Sequence, residues 1–135
     1  SILRRPVSVA LASILVVMSF ETASADPSLE CSIANGSQVE TGNCLVAMSK
    51  SVDAALDAAL VFARSSAKEL DETTGRAVAL PALEAGQAAW VQFRDKHCDY
   101  VGSTFGGGSG TGIAIQSCRI EITRERTNIL MQFAR

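Results

Sequence analysis

Four cysteines carry the clearest chemistry in this sequence: Cys31, Cys44, Cys98 and Cys118. An even number of cysteines in a short exported chain is typical of a disulfide framework. The alternative is a metal site, but the sequence has no C-x-x-C pair and only one histidine, His97. This spacing does not favour zinc. We therefore predict two disulfides, no metal and no cofactor.

The polar side chains do not form a convincing catalytic set. His97 stands near Asp95, but residues so close along a helix do not face each other, and no nucleophile motif accompanies them. Glu121 and Glu125 are one helical turn apart, whereas the paired carboxyl groups of glycosidases flank a cleft. We interpret them as a solvated face and predict that the protein is not an enzyme.

The first 25 residues have the order of a secretory signal. Arg4 and Arg5 precede an apolar run at 7–18, and Ala23-Ser24-Ala25 provides small residues for cleavage. The apolar run is shorter than the roughly 20 residues that span a bilayer. We therefore predict a cleaved signal peptide at 1–25 and a domain at 26–135. The domain would be periplasmic or secreted, with no membrane attachment.

Helical periodicity dominates the rest of the chain. We expect residues 26–42 to be irregular and a first helix to begin at about Asn43, as N-cap, and to end near 68–71. A second helix should begin near Val78 and end near Cys98, and a third should cover 114–133. The predicted fold is all-α: an antiparallel helical hairpin with a third packed helix, stapled by disulfides.

Two apolar faces should build the core. Trp90 is expected in it as well, and Gly86 suggests a close approach between helices. On the first helix the expected face is Leu45, Met48, Val52, Ala55, Ala59 and Phe62. On the third helix it is Ile115, Cys118, Ile122, Ile129 and Phe133, flanked by Ile120 and Leu130.

The hairpin bears on the pairing of the cysteines. It places Cys44 and Cys98 at one end, and Cys118 returns to that end, so all three connectivities stay open. We favour the local pairs Cys31–Cys44 and Cys98–Cys118, because each ties a short segment to a helix.

The glycine-rich stretch 101–112 breaks the helical pattern. It lacks the lysine of a phosphate-binding loop, and no strand precedes it. It is either a flexible connection or a protruding loop, tethered by Cys98–Cys118, that enters a partner's cleft. The candidate partner contacts in such a loop are Ser103, Thr104, Phe105 and Ser109.

Two motifs carry a resemblance to a known family. Residues 83–98 have the form L-x-x-x-Q-x-x-W-x-x-F-R-D-x-x-C, and residues 118–130 have the form C-x-x-x-x-T-x-x-R-x-x-x-L. Together with the cysteine pair before the first helix, they resemble the lysozyme inhibitor LprI N-terminal domain family. The motif positions, which we interpret as helix-packing residues, are Gln87, Trp90, Arg94, Asp95, Thr123 and Arg126.

The resemblance implies an exported, helical, disulfide-bonded protein of a family in which some members inhibit lysozyme, so a lysozyme is the candidate partner. One departure is in the first helix, where Asp57 and Leu60 replace the asparagine and tyrosine usual in the family. The alternative function is a non-enzymatic envelope module that binds proteins but has no lysozyme activity. The net charge of −2 and the absence of a basic stripe exclude nucleic acid as the expected partner. The oligomeric state is left open.

Overall fold

A computed structural model of the chain describes residues 26–34 and 36–134, so the predicted signal peptide lies outside the described residues. The described part contains four helices and no strand: α1 (Pro27–Ala34), α2 (Gln38–Thr74), α3 (Ala79–Ser103) and α4 (Thr111–Met131). α2 and α3 form the hairpin, α4 packs on both, and α1 packs on α2 and α4. The all-α prediction is confirmed. None of the described helices is both long and apolar enough to cross a bilayer.

The N-terminal segment is more helical than predicted. α1 occupies much of the segment expected to be irregular, and α2 begins at Gln38, so Asn43 lies inside a helix and is not its N-cap. The N-cap is Ser37, whose hydroxyl accepts a hydrogen bond from Glu40 N at 3.2 Å. The Glu40 carboxylate in turn accepts from Gly36 N at 3.0 Å. This reciprocal arrangement resembles a capping box, and S-x-x-E is its sequence signal.

The turn between α2 and α3 is organised by one carboxylate. Gly75 ends α2 with a φ of 67°, and its N–H donates to the main-chain oxygen of Asp71. The Asp71 side chain accepts from the N–H groups of Val78 (3.2 Å), Ala79 (2.8 Å) and Leu80 (3.0 Å). These hydrogen bonds lower the pKa of Asp71, and the bond from Leu80 has the largest effect. Asp71 therefore supplies the N-terminal cap that α3 lacks in its own sequence.

Two apolar clusters lie along α2. The first, with Leu83 and Trp90 packed against it, consists of Leu56, Ala59, Leu60, Ala63 and Leu130. The second, with Cys44, Met48 and Ile113 packed against it, consists of Cys31, Leu45, Val52 and Ile120. The second cluster includes Cys31, so the Cys31–Cys44 disulfide at the N-terminal end of α2 is part of the apolar core.

The predicted apolar faces were partly wrong. Ala55 is exposed and Phe62 is 58% exposed, whereas Leu56, Leu60 and Ala63 are buried in their place. The predicted stripe repeats every 3.5 residues, and an α-helix has 3.6 residues per turn, so the buried face drifts by about 20° per heptad. Of the face predicted for the third helix, Ile129 on α4 and Phe133, which follows the end of α4, are exposed, whereas Cys118 and the flanking Ile120 and Leu130 are buried.

Both predicted disulfides are confirmed. Cys31–Cys44 joins α1 to α2 with a Cα–Cα distance of 5.7 Å, and Cys98–Cys118 joins α3 to α4 at 5.6 Å. The connection between α3 and α4 is shorter than the glycine-rich stretch suggested, because α3 continues to Ser103 and α4 begins at Thr111.

The close approach between helices was predicted at the wrong glycine. A Cβ added at Gly86 would meet nothing within 4 Å, so this glycine faces open space. A Cβ added at Gly102 would lie 2.5 Å from Ile115 Cγ1 and 2.7 Å from Ile115 Cδ1. The tight contact between α3 and α4 is therefore at Gly102.

Candidate functional site

The motif residues of α3 and α4 meet around Trp90. The guanidinium carbon of Arg94 lies 5.0 Å from the Trp90 ring centroid, and that of Arg126 lies 5.9 Å from it. Arg126 also donates from Nε to Oε1 of the buried Gln87 at 2.9 Å. Burial lowers the pKa of Arg126. The arrangement joins the two helices through stacked and hydrogen-bonded side chains.

A second group of motif residues continues the same seam. The Asp95 carboxylate accepts from Arg94 Nε at 3.0 Å and lies 3.1 Å from Arg119 Nη2 on α4. Thr123 is buried, and its hydroxyl donates to the main-chain oxygen of Arg119 at 2.6 Å. Arg119 is not among the residues predicted from the sequence, because its acidic partner lies on another helix. Most of the motif side chains are thus engaged with each other.

Beside this seam lies an open groove of about 690 Å³, which we call the α3–α4 groove. Trp90 and Ile122 are among its apolar lining residues. α3 and the loop after it contribute an aromatic wall, and α4 together with Asp26 contributes a wall that carries three carboxylates, which we call the carboxylate wall. The aromatic residues are Phe93, His97 and Phe105, and the carboxylates are Asp26, Glu121 and Glu125.

The aromatic wall is largely exposed. Phe93 stacks on His97 with ring centroids 5.3 Å apart, and Phe93 and Phe105 are 57% and 52% exposed. His97 therefore has an aromatic neighbour rather than the acidic partner that a catalytic histidine would need. Such exposed aromatic rings on a concave surface are typical of binding sites.

The carboxylate wall begins with the first described residue. Asp26 Oδ1 accepts from the Ser117 hydroxyl at 2.6 Å, from Ser28 N at 2.9 Å and from the Ser28 hydroxyl at 2.8 Å. The bond from Ser117 is the main reason that the pKa of Asp26 is lowered. These hydrogen bonds hold the negative charge of the Asp26 carboxylate against α4.

The pKa of Glu121 is shifted in the opposite direction from that of Asp26. Burial raises its pKa, and the negative charges of Asp26 and Glu125 raise it further. The positive charge of the nearby Arg124 lowers the pKa of Glu121 but offsets only part of this rise. The Arg124 guanidinium instead holds Glu30, with distances of 3.2 and 3.3 Å between the nitrogens and the carboxylate oxygens. Within the described residues, Glu121 is therefore a carboxylate without an ion-pair partner.

We expect Glu121→Gln to raise the melting temperature at pH 7. A carboxyl group whose pKa is raised on folding favours the folded state while protonated, and this contribution is lost as the pH rises above its ordinary value of 4.5. The variant removes the resulting repulsion at neutral pH. Calorimetry at low salt should show a stabilised variant at pH 7 and a smaller difference at pH 4. A lower melting temperature at pH 7 would contradict this account.

The predicted partner loop forms the connection between α3 and α4, where residues 103–109 are all exposed. The hydroxyls of Ser103 and Thr104 donate to the main-chain oxygens of Tyr100 and Val101, both at 2.6 Å. These two hydroxyl protons are thus used within the helix. Phe105 lies at the mouth of the α3–α4 groove.

The tip of the loop keeps free donors. Gly106 and Gly107 have φ values of 63° and 78°, which only glycine adopts readily. The hydroxyl and the N–H of Ser109, together with the N–H groups of Gly107 and Gly110, have no hydrogen-bond partner in the part of the chain that the structure describes. A compact set of backbone N–H groups is suited to binding a carboxylate.

Comparison with known proteins identifies a family and a relative of this chain. The model of the family described as lysozyme inhibitor LprI matches residues 30–130. An uncharacterized protein of Rhizobium meliloti (strain 1021) is 36% identical over 96 residues, which cover 67% of this chain and 69% of that protein. No solved structure matches the chain. Since the family model spans both disulfides and the whole α3–α4 seam, the protein belongs to the LprI lysozyme inhibitor family.

Proposed function

We propose that the protein binds a lysozyme and blocks its substrate cleft outside the cytoplasm, without enzymatic activity of its own. The observation that carries the proposal is the family match across residues 30–130. Two disulfides support an oxidising compartment. The predicted signal peptide at 1–25 agrees with such a location.

The loop at 104–110 is the contact that we propose. A lysozyme cleft contains two carboxyl groups that act on the glycosidic bond. The free donors at Ser109 and at the neighbouring glycines are suited to those oxygens, and Ser103 and Thr104 would shape the loop rather than donate to the partner. Cys98–Cys118 ties the two helices that carry the loop, which reduces the ordering cost of binding.

The test is a cell-wall lysis assay with purified protein and chicken-type lysozyme, repeated with goose- and invertebrate-type enzymes. We expect the protein at micromolar excess to slow lysis by at least one of them. Unchanged lysis with all three would overturn the proposed function and favour a binding module without lysozyme activity.

A charge reversal at the loop tip tests the contact. Ser109→Glu would place a carboxylate against those of the cleft, and like charges brought together in an interface cost several kcal/mol. We expect the half-inhibitory concentration to rise by at least about tenfold, which corresponds to about 1.4 kcal/mol. Ser65→Glu, the same change at an exposed position of α2, is the matched control and should leave inhibition unchanged. Equal inhibition by the Ser109→Glu protein would show that the loop is not the contact.

A further inference from the structure

We propose that the α3–α4 groove binds a basic segment of the partner, with an arginine or lysine side chain between the aromatic wall and the carboxylate wall. The inference rests on the proposed function, because the partner to which we assign the basic segment is the lysozyme. It adds a second contact surface to the loop and assigns a function to residues outside the family motif.

The shape and the lining of the groove support a side chain with an apolar stem. Its volume of about 690 Å³ is within the 300–1,000 Å³ that is usual for ligand sites. Phe93 and Phe105 expose their rings at its rim. Aromatic rings attract the cationic heads of lysine and arginine, whose methylene stems cover apolar surface.

The charges of the groove are not balanced from within. Three carboxylates line it against the guanidinium of Arg126 and, after the predicted cleavage at residue 25, the N-terminal ammonium group of Asp26, so the sum of the charges stays negative. Arg126 is held by Gln87 and lies over Trp90. Burial raises the pKa of Glu121 first of all, and the negative charges of Asp26 and Glu125 raise it further. A cation entering between these walls would meet an uncompensated negative potential, so the complementary occupant is basic.

The groove is also continuous with the loop. Phe105 belongs to the connection between α3 and α4 and at the same time lines the groove. A partner that holds the loop in its cleft therefore lies over the mouth of the groove. A basic side chain on the partner's surface beside its cleft would therefore reach the groove.

The experiment compares two double variants with the same change in charge. Glu121→Gln/Glu125→Gln removes two carboxylates from the groove, and Glu69→Gln/Glu72→Gln removes two exposed ones from α2. Calorimetric titration with chicken-type lysozyme at low and moderate salt gives the dissociation constants. We expect the groove variant to bind about tenfold more weakly with a reduced salt dependence, and the α2 variant to bind within about twofold of the original protein.

A second measurement tests ligand binding by the groove in the absence of lysozyme. The ¹⁵N-labelled protein is titrated with N-acetylargininamide, with neutral N-acetylglutaminamide as the comparison. We expect saturable shifts at the Trp90 indole N–H only with the arginine compound, and their loss in the groove variant. Melting temperatures of both variants establish that they are folded.

Each outcome decides one claim. If the original protein binds lysozyme and the groove variant binds equally well, or the α2 variant weakens as much, the groove proposal is wrong and the proposed function stands. If no lysozyme is bound but arginine titrates the groove, the proposed function fails and the groove remains a site for basic ligands. Absence of a saturable arginine shift overturns the groove proposal.

Discussion

Replacing Cys98 and Cys118 together with alanine should lower the free energy of unfolding by about 3 kcal/mol. The bond closes a segment with a sequence separation of 20 residues, and its release returns conformational freedom to the unfolded chain. Both cysteines are also buried, with exposures of 0% and 9%, so packing is lost in addition. Urea unfolding followed by circular dichroism measures the change.

The same variant should also lose inhibition. The disulfide holds the two helix ends that carry the loop at 104–110, and a loosened loop has a larger ordering cost on binding. Cys31→Ala/Cys44→Ala is the control, because it removes a bond with a separation of 13 residues that does not enclose the loop. We expect a similar loss of stability there with inhibition retained at a temperature where both variants are folded. Full inhibition by the first variant would contradict the proposed function of the tether.

Gly102→Ala should lower the free energy of unfolding by about 1–2 kcal/mol. The added Cβ would lie 2.5 Å from Ile115 Cγ1 at the point where α3 meets α4. Ile115 is β-branched and lies in a helix, so its χ1 angle has little freedom to move away. The helices must then separate, which disturbs the nearby Cys98–Cys118 bond. Thermal unfolding of the variant measures this loss.

Gly86→Ala provides the matched comparison on the same helix. No atom lies within 4 Å of the added Cβ, so only the better helix propensity of alanine remains. We expect a gain of about 1 kcal/mol. Equal effects of the two substitutions would show that the contact with Ile115 does not limit the approach of the helices.

The two glycines also show what a sequence can indicate. Both lie in α3, but only Gly86 stands in a clear helical pattern of the sequence. Gly102 belongs to the glycine-rich stretch 101–112, which predicted a connection and not a contact between helices. The predicted apolar face of α2 was partly wrong because a repeat of 3.5 residues is slightly shorter than a helical period. It describes the first turns well but has drifted off the buried face by Phe62. The helix type and the disulfide pairs could be predicted, because they follow from local periodicity and short separations.

The groove could not be predicted from local pattern. One wall begins at Asp26, which reaches Ser117 across a sequence separation of 91 residues. In the sequence, Glu121 and Glu125 have the spacing of a solvated helix face. They line the groove together with the N-terminal residues Asp26 and Ser28, which are distant in the sequence. The cap at Ser37, in contrast, has a local sequence signal, S-x-x-E, and could have been predicted instead of the irregular segment at 26–42.

The local pairing of the cysteines decides what a protease can do to this protein. A cut within 104–110, the exposed loop, leaves both pieces joined by Cys98–Cys118. A cut between Cys31 and Cys44 likewise leaves one covalent molecule. A cut at 75–78 separates two pieces that share no disulfide, and among the described connections between helices it is the only one with this property. Asp71 binds three N–H groups beside that turn, so hydrogen bonds hold the backbone where no covalent link would survive a cut.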